Sequence, residues 1–268
     1  MLHTALALLG TPVHRSIFPY VWGATLHAAR ISLVFNSQIR ASKSQLSVGA
    51  NLIGYLIMCW GGSLAVHMLL SLPPPHLYTF APWLNYAAVH LLVSSLLSYL
   101  PIPDPAHANA LLFPLDGLLR TNSVLQAVSL LNLSKNLNPL LSESPLFHFI
   151  LGAAASSGGG LLGGTLGVWT SNWQVSTPPP LRIGVWGVWS TLDIWAGGVI
   201  ACVYGLLTAH PAFLPLRALL TSQKAATIHT ARTLSAALMI AFFGLRVLAT
   251  SPKAPVVQKK PGQKEKTQ

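Results

Sequence analysis

The stretch from Phe147 to Trp169, FHFILGAAASSGGGLLGGTLGVW, constrains the fold more than any other part of the chain. It is long enough to cross a bilayer as a helix, for which about 20 mostly apolar residues suffice. Its middle is Ser156, Ser157, Gly158, Gly159 and Gly160, followed by Gly163, Gly164 and Gly167. In water each glycine opposes a helix by about 1 kcal/mol relative to alanine. In lipid the backbone must still bond to itself, so the segment is expected to be helical, bent and thin enough for a neighbour to approach closely. Two readings stand. Small-xxx-small faces such as Gly159/Gly163 and Gly163/Gly167 pack helices together, or a mid-membrane bend offers its hydroxyls to something polar.

The rest of the composition supports a membrane setting. Of the 268 residues 52% are hydrophobic and only 8% charged, where a soluble domain carries about 25%. The acidic residues are Asp104, Asp116, Glu143, Asp193 and Glu265, too few and too scattered for paired-carboxylate catalysis or an acidic calcium site. The basic residues behind the net charge of +11 sit mainly between hydrophobic spans and in the tail, so the charge reads as loop and lipid electrostatics and not as a nucleic-acid surface. Cys59 and Cys202 lie inside expected spans. They form no zinc spacing or disulfide framework and read as small buried apolar residues. The opening MLHTALALLGTPVHR lacks a charged n-region and is not read as a cleaved signal peptide.

Seven spans are expected: Ile17 to Phe35, Val48 to Leu72, Trp83 to Leu100, Leu112 to Ser134, the glycine-rich fifth, Gly184 to Leu207, and Ile228 to Ala249. Pro19 would occupy a permissive first-turn position of the first, with His27 and Arg30 one turn apart on a shared face. The second carries Gly61-Gly62-Ser63 at its centre and ends at Pro73-Pro74-Pro75. In the fourth, Asp116 and Arg120 are four apart and can pair on one face, at the interface or toward a cavity. Trp186, Trp189 and Trp195 fall in the first half of the sixth, which also holds Asp193. Arg40 and Lys43 lie on the same side as the lysine-rich tail, which places that side in the cytoplasm. The loop with Arg217 and Lys224 falls on the other side.

Spans one to three resemble spans four to six. Phe18-Pro19 matches Phe113-Pro114, Gly61 follows 43 residues after Phe18, and Gly159 follows 46 after Phe113. Each glycine-bearing helix precedes a triple proline and then a tryptophan-bearing helix. Three-helix repeats must be inverted with respect to each other, and such repeats commonly frame a midplane pathway. The fold class is therefore an all-α membrane protein of seven transmembrane helices, two inverted three-helix repeats plus a seventh helix. An N-terminal segment occupies 1–15 and the membrane domain 16–251, with repeats at about 16–100 and 111–208 and helix seven at about 228–250. The basic tail at 252–268 is expected to be disordered.

In their order these features resemble the trimeric intracellular cation (TRIC) channels. Phe18-Pro19 and His27 match that family's first helix, Ser42-Lys43-Ser44-Gln45-Leu46 its basic stretch before helix two, and Trp60-Gly61-Gly62-Ser63 its Gly-Ser-Gly-like kink. Pro114-Leu115-Asp116 matches the Pro-Leu-Asp motif of helix four, Ser157-Gly158-Gly159-Gly160 the kink of helix five, and Leu214-Pro215 the Leu-Pro before the last helix. The resemblance spans about Ser16 to Ser251. It departs from the family where Lys135-Asn136-Leu137-Asn138-Pro139 keeps only the lysine of the Lys-Glu-Val-x-Arg motif, where Ser157 replaces a lysine, and where PDPAHANA is an apparent insertion before span four.

The resemblance implies a homotrimer with a pore in each protomer, conducting monovalent cations, potassium above all, across the endoplasmic reticulum or nuclear envelope. That current would balance charge during calcium release or uptake. Gly61, Gly62, Ser63, Ser156, Ser157, Gly158, Gly159 and Gly160 would form the kinks beside the pore. Asp116, Arg120 and Lys135 are the charged pore or gating candidates. No metal, cofactor, nucleic acid or enzymatic activity is expected, with an anionic lipid as the candidate bound molecule. The alternatives are a non-conducting relative or transporter of the same fold and an intramembrane serine hydrolase using Ser156 or Ser157 with His67, His90 or His148.

Overall fold

The computed structural model describes residues 2–100, 104–134, 137–183, 187–219 and 224–250. Most of them are helical. A short helix α1 (Leu2–Leu8) leads into a hairpin of β1 (Pro12–His14) and β2 (Phe18–Val21). Then come α2 (Trp22–Ser42), α3 (Val48–Leu69), α4 (Ala81–Tyr99), α5 (Pro105–Leu133), α6 (Pro139–Ser142), α7 (Pro145–Leu166), α8 (Leu192–Leu207), α9 (Leu214–Leu219) and α10 (Ile228–Thr250). Helices α3, α7 and α10 are each long and apolar enough to cross a membrane, as an integral membrane protein requires. Helix α8 passes that test only together with Pro211–Leu219, from which a 93° bend separates it.

Phe18-Pro19 therefore belongs to a strand and not to the first turn of a helix. The Nδ1 of His14 receives the backbone N–H groups of Ser16 and Ile17 at 3.2 and 3.0 Å and so closes the hairpin turn. The Trp22 N–H then bonds to Thr11 O and the Gly23 N–H to Leu9 O, each at 2.9 Å, carrying the chain into α2. From Pro105 onward PDPAHANA belongs to a helix. The Asp104 carboxylate accepts from the N–H groups of Ala106 and His107 at 3.1 and 3.2 Å, and Pro105 takes the first-turn position. That N-cap starts α5 about two turns ahead of the expected point, leaving Pro114 inside the helix. The sixth helix starts late, at Leu192, so Trp189 precedes it. Trp186 and Lys135 lie outside the described residues, as does the tail beyond Thr250.

Helices α2 and α4 are less apolar than these, and the residues through which they face each other are polar. Thr25 donates to Asn85 at 3.2 Å, His27 is 3.1 Å from the Tyr86 hydroxyl, and Ser32 Oγ is 2.7 Å from His90 Nδ1. Further along, Asn36 donates to Ser94 at 3.1 Å and Arg40 to the Leu97 carbonyl at 2.9 Å. Each step forward on α2 is matched by one forward on α4, so the two helices run parallel. Tyr55 of α3 stacks on His90 with centroids 3.9 Å apart, and Asn51 closes the far side of that imidazole at 2.8 Å.

Helices α3 and α7 meet through their glycines. Both helices run unbroken through their glycines. A Cβ built on Gly61 would lie 2.9 Å from Gly159 Cα, and one on Gly158 would lie 2.7 Å from Gly62 Cα. Likewise a Cβ on Gly62 would meet Ala155 O at 2.8 Å, and one on Gly159 would run into Met58 O. The interval from Gly61 to Gly158 equals that from Gly62 to Gly159 and from Met58 to Ala155. Exchanging the two helices thus exchanges each contact for its partner. Position numbers rise on α3 as they fall on α7, so the pair is antiparallel and locally two-fold symmetric. Helix α7 ends at Gly167, whose φ of +61° only glycine adopts without strain and which lets the Val168 N–H reach back to Gly163 O at 3.1 Å.

Candidate functional site

Between α2, α3, α5, α7, α8 and α10 lies a cavity of about 1820 Å³. Its lining includes both Ile228 and Thr250, the two ends of α10. At the 1.5 Å rise of an α-helix these residues are ~33 Å apart, which matches the roughly 30 Å hydrocarbon thickness of a bilayer. The lining is largely apolar but carries many charged and amide side chains. Arg30, Arg120, Arg182, Arg232 and Arg246 contribute to it with Asp116 and Asp193, together with Asn109, Asn122, Gln126, Ser129 and Ser190.

Two clusters organise those charges. In the first, Asp116 of α5 accepts from Arg30 of α2 through Nε at 2.8 Å and Nη2 at 2.9 Å, and Nη2 also donates to Asn109 at 2.7 Å. Both side chains are nearly buried, at 9% and 13% exposure, and the bidentate fork satisfies them. The second centres on Asp193 in the first turn of α8. Arg120 Nη2 approaches one of its carboxylate oxygens to 2.7 Å and Arg246 Nη1 the other to 2.9 Å. Both guanidiniums lie over the Phe243 ring, at 5.1 and 4.5 Å from its centroid. Arg120 Nη1 also donates to the Ser156 carbonyl and to Ser156 Oγ, the latter at 3.3 Å, so the cluster ties α5, α7, α8 and α10 together.

The expected site residues divide accordingly. Asp116 and Arg120 both face the cavity, but each pairs with a different helix and not with the other. Gly62, Ser63, Ser156, Ser157, Gly159 and Gly160 line the cavity, while Gly61 and Gly158 sit in the α3–α7 crossing. Ser157 Oγ donates to the Ala153 carbonyl at 2.7 Å. His67 and His148 lie against the backbone carbonyls of Ser63 and Ser142. The Ser156 and Ser157 hydroxyls therefore meet no histidine, and the close Ser32–His90 contact is wholly buried away from the cavity. Among the described residues no group of three or more His, Cys, Asp or Glu side chains is arranged to hold a metal.

Three participants escaped the sequence reading: Arg30 as the partner of Asp116, Asp193 as the partner of Arg120, and Arg246 as the second cation on Asp193. All three lie inside expected spans, and an ionisable residue in a span must find a partner within the bundle. Comparison of the chain with models of protein families, with curated proteins and with solved structures finds no match.

Proposed function

We propose that this protein is a membrane channel for monovalent cations, potassium foremost, with the permeation path running through the polar cavity of the bundle. The carrying observation is that residues at both ends of α10, ~33 Å apart along the helix, line this cavity, close to the roughly 30 Å hydrocarbon core. The antiparallel α3–α7 pair lends support, since inverted pairs of helices frame midplane pathways in many transport proteins. The Arg30–Asp116 ion pair is neutral and bidentate, so it offers a polar wall without a net barrier. Ser63, Ser156 and Gln126 add neutral oxygens that can stand in for part of an ion's hydration.

In this reading all seven long helices cross the bilayer as two inverted triplets plus α10. The protein works as a homotrimer in the endoplasmic reticulum or nuclear envelope, with its basic tail in the cytoplasm. Its current balances charge when calcium is released or taken up, and it is not an enzyme. Potassium flux through purified protein in sealed vesicles tests this. Flux that rises linearly with concentration supports a channel. Saturable flux coupled to a second solute would identify a transporter of the same architecture, and no flux at any voltage or calcium concentration would sink both.

A further inference from the structure

The short helix α1 meets the start of α10 at a pair of histidines 226 positions apart in the chain. His3 Nε2 lies 3.1 Å from His229 Nδ1. The rings meet edge to face, with centroids 5.0 Å apart and planes at 68°. Both side chains are exposed, so no core packing forces the two ring nitrogens together. A recess of about 300 Å³, formed by the two histidines with Thr230, Thr233 and Leu234, opens on the pair. It is separate from the central cavity, with which it shares no lining residue.

Two nitrogens at this separation suit a single metal ion. With metal–nitrogen bonds of about 2.0–2.1 Å, an ion between them would subtend an angle of about 100°. That value falls between the square angle of about 90°, which copper and nickel favour, and the tetrahedral angle of about 109°, which zinc favours. Without metal, one imidazole N–H donates to the nitrogen of the other ring. A metal needs both lone pairs, so the protons then sit on His3 Nδ1 and His229 Nε2, a change of tautomer without a change of charge. No carboxylate lines the recess. Calcium and magnesium, which need such oxygens, are therefore disfavoured, whereas imidazole suits the late first-row cations. Water in the recess can complete their coordination.

We propose that His3 and His229 form a surface site for a divalent transition-metal ion of the copper, nickel and zinc class, which clips α1 to α10. Two protein ligands leave the other positions to water, so the ion exchanges, unlike one held by the four ligands of a structural zinc site. The clip has a definite mechanical target. Leu6 and Leu9, from the same N-terminal segment, pack with Leu119 of α5 and Ala236 of α10, and Leu9 and Gly10 line the central cavity. An ion held by both histidines fixes that segment against the cavity wall.

The test is metal binding to the untagged full chain in a neutral detergent, which is independent of any flux and so stands or falls apart from conduction. Cu²⁺ and Zn²⁺ are titrated in competition with a chromophoric chelator, and thermal unfolding is followed with and without metal. Saturable binding is expected, tighter for Cu²⁺ than for Zn²⁺. The unfolding temperature should rise with it, because only the folded chain holds the two histidines together. Mg²⁺ and Ca²⁺ should do neither. H3N and H229N should each weaken binding by roughly tenfold or more, since losing even an outer-shell partner of a metal ligand costs that much. Each should also abolish the metal's effect on unfolding. Both positions are exposed, so the variants should unfold at the wild-type temperature when metal is absent. H229C, which exchanges one zinc ligand for another, should retain Zn²⁺, and H107N, at an exposed histidine of α5, should change nothing. Binding that H3N and H229N leave unaltered, or metal that binds without raising the unfolding temperature, overturns the clip.

Discussion

Asp116 takes both Nε and Nη2 of Arg30, 86 positions earlier in the chain, and leaves Arg120, one turn along its own helix, to Asp193. Because Arg30 and Asp116 are almost wholly buried, removing either charge strands the other. D116N or R30Q should cost about 3–5 kcal/mol of unfolding free energy in detergent. The double variant R30M/D116L should recover most of that loss. Additive losses in the double-mutant cycle would contradict a shared buried pair.

The glycines of α3 and α7 differ sharply in what surrounds them. Gly158→Ala would push a methyl to 2.7 Å from Gly62 Cα, and Gly62→Ala one to 2.8 Å from Ala155 O. Both obstacles are backbone, so the helices must move apart, at a cost of about 2 kcal/mol or more. Gly160 is exposed, with no atom within 4 Å of an added Cβ. Gly160→Ala should be neutral or stabilising by up to about 1 kcal/mol. Thermal unfolding of the three variants measures the contrast, and equal losses at all three would refute the packing described.

His76 lies in the loop between α3 and α4, 4.1 Å centroid to centroid from Trp60. Burial, and then the positive charge of nearby His67, push its pKa down from 6.5 to about 4. The folded protein thus resists a proton that the unfolded chain accepts. Its contribution to stability is complete above pH 6.5 and is lost as the pH falls toward 4. His76→Gln should flatten the pH dependence of the unfolding temperature across that window. An unchanged slope would assign the dependence to other groups.

The helices were legible because apolar runs of bilayer length, ended by proline and glycine, leave a chain few options. The hairpin was not, since Phe18–Val21 continues without a polar break into α2, and only His14, capping the turn from outside it, gives the reversal away. The N-cap Asp104 is a local signal present in the sequence, but the apolar run that marks the span begins only at Leu111. The charge partners were beyond local rules. Spacing four apart puts Asp116 and Arg120 on one face, yet their long-range alternatives, Arg30 and Asp193, come from helices whose rotation the sequence does not specify. The glycines were legible as candidates for close approach, and their mutual contact across α3 and α7 required the packed structure.

Asp193 is the one anion between two guanidiniums, so the members of its cluster are not equivalent. R120Q or R246Q leaves a neutral ion pair behind, whereas D193N leaves two cations beside Phe243 with no anion between them. Loss of stability should therefore be largest for D193N, by about 1 kcal/mol over either arginine variant at low salt, since breaking a half-buried pair costs more when it strands a charge but solvent screens part of it. Added salt screens the partly exposed guanidiniums and should narrow the gap. The double variant D193N/R246Q, with a single cation left, should be more stable than D193N alone, even though it carries one more substitution. Unfolding temperatures of these four proteins at two ionic strengths decide it: a D193N/R246Q protein weaker than D193N would show that Arg246 stabilises the bundle by its packing on Phe243 and not through the charge of Asp193.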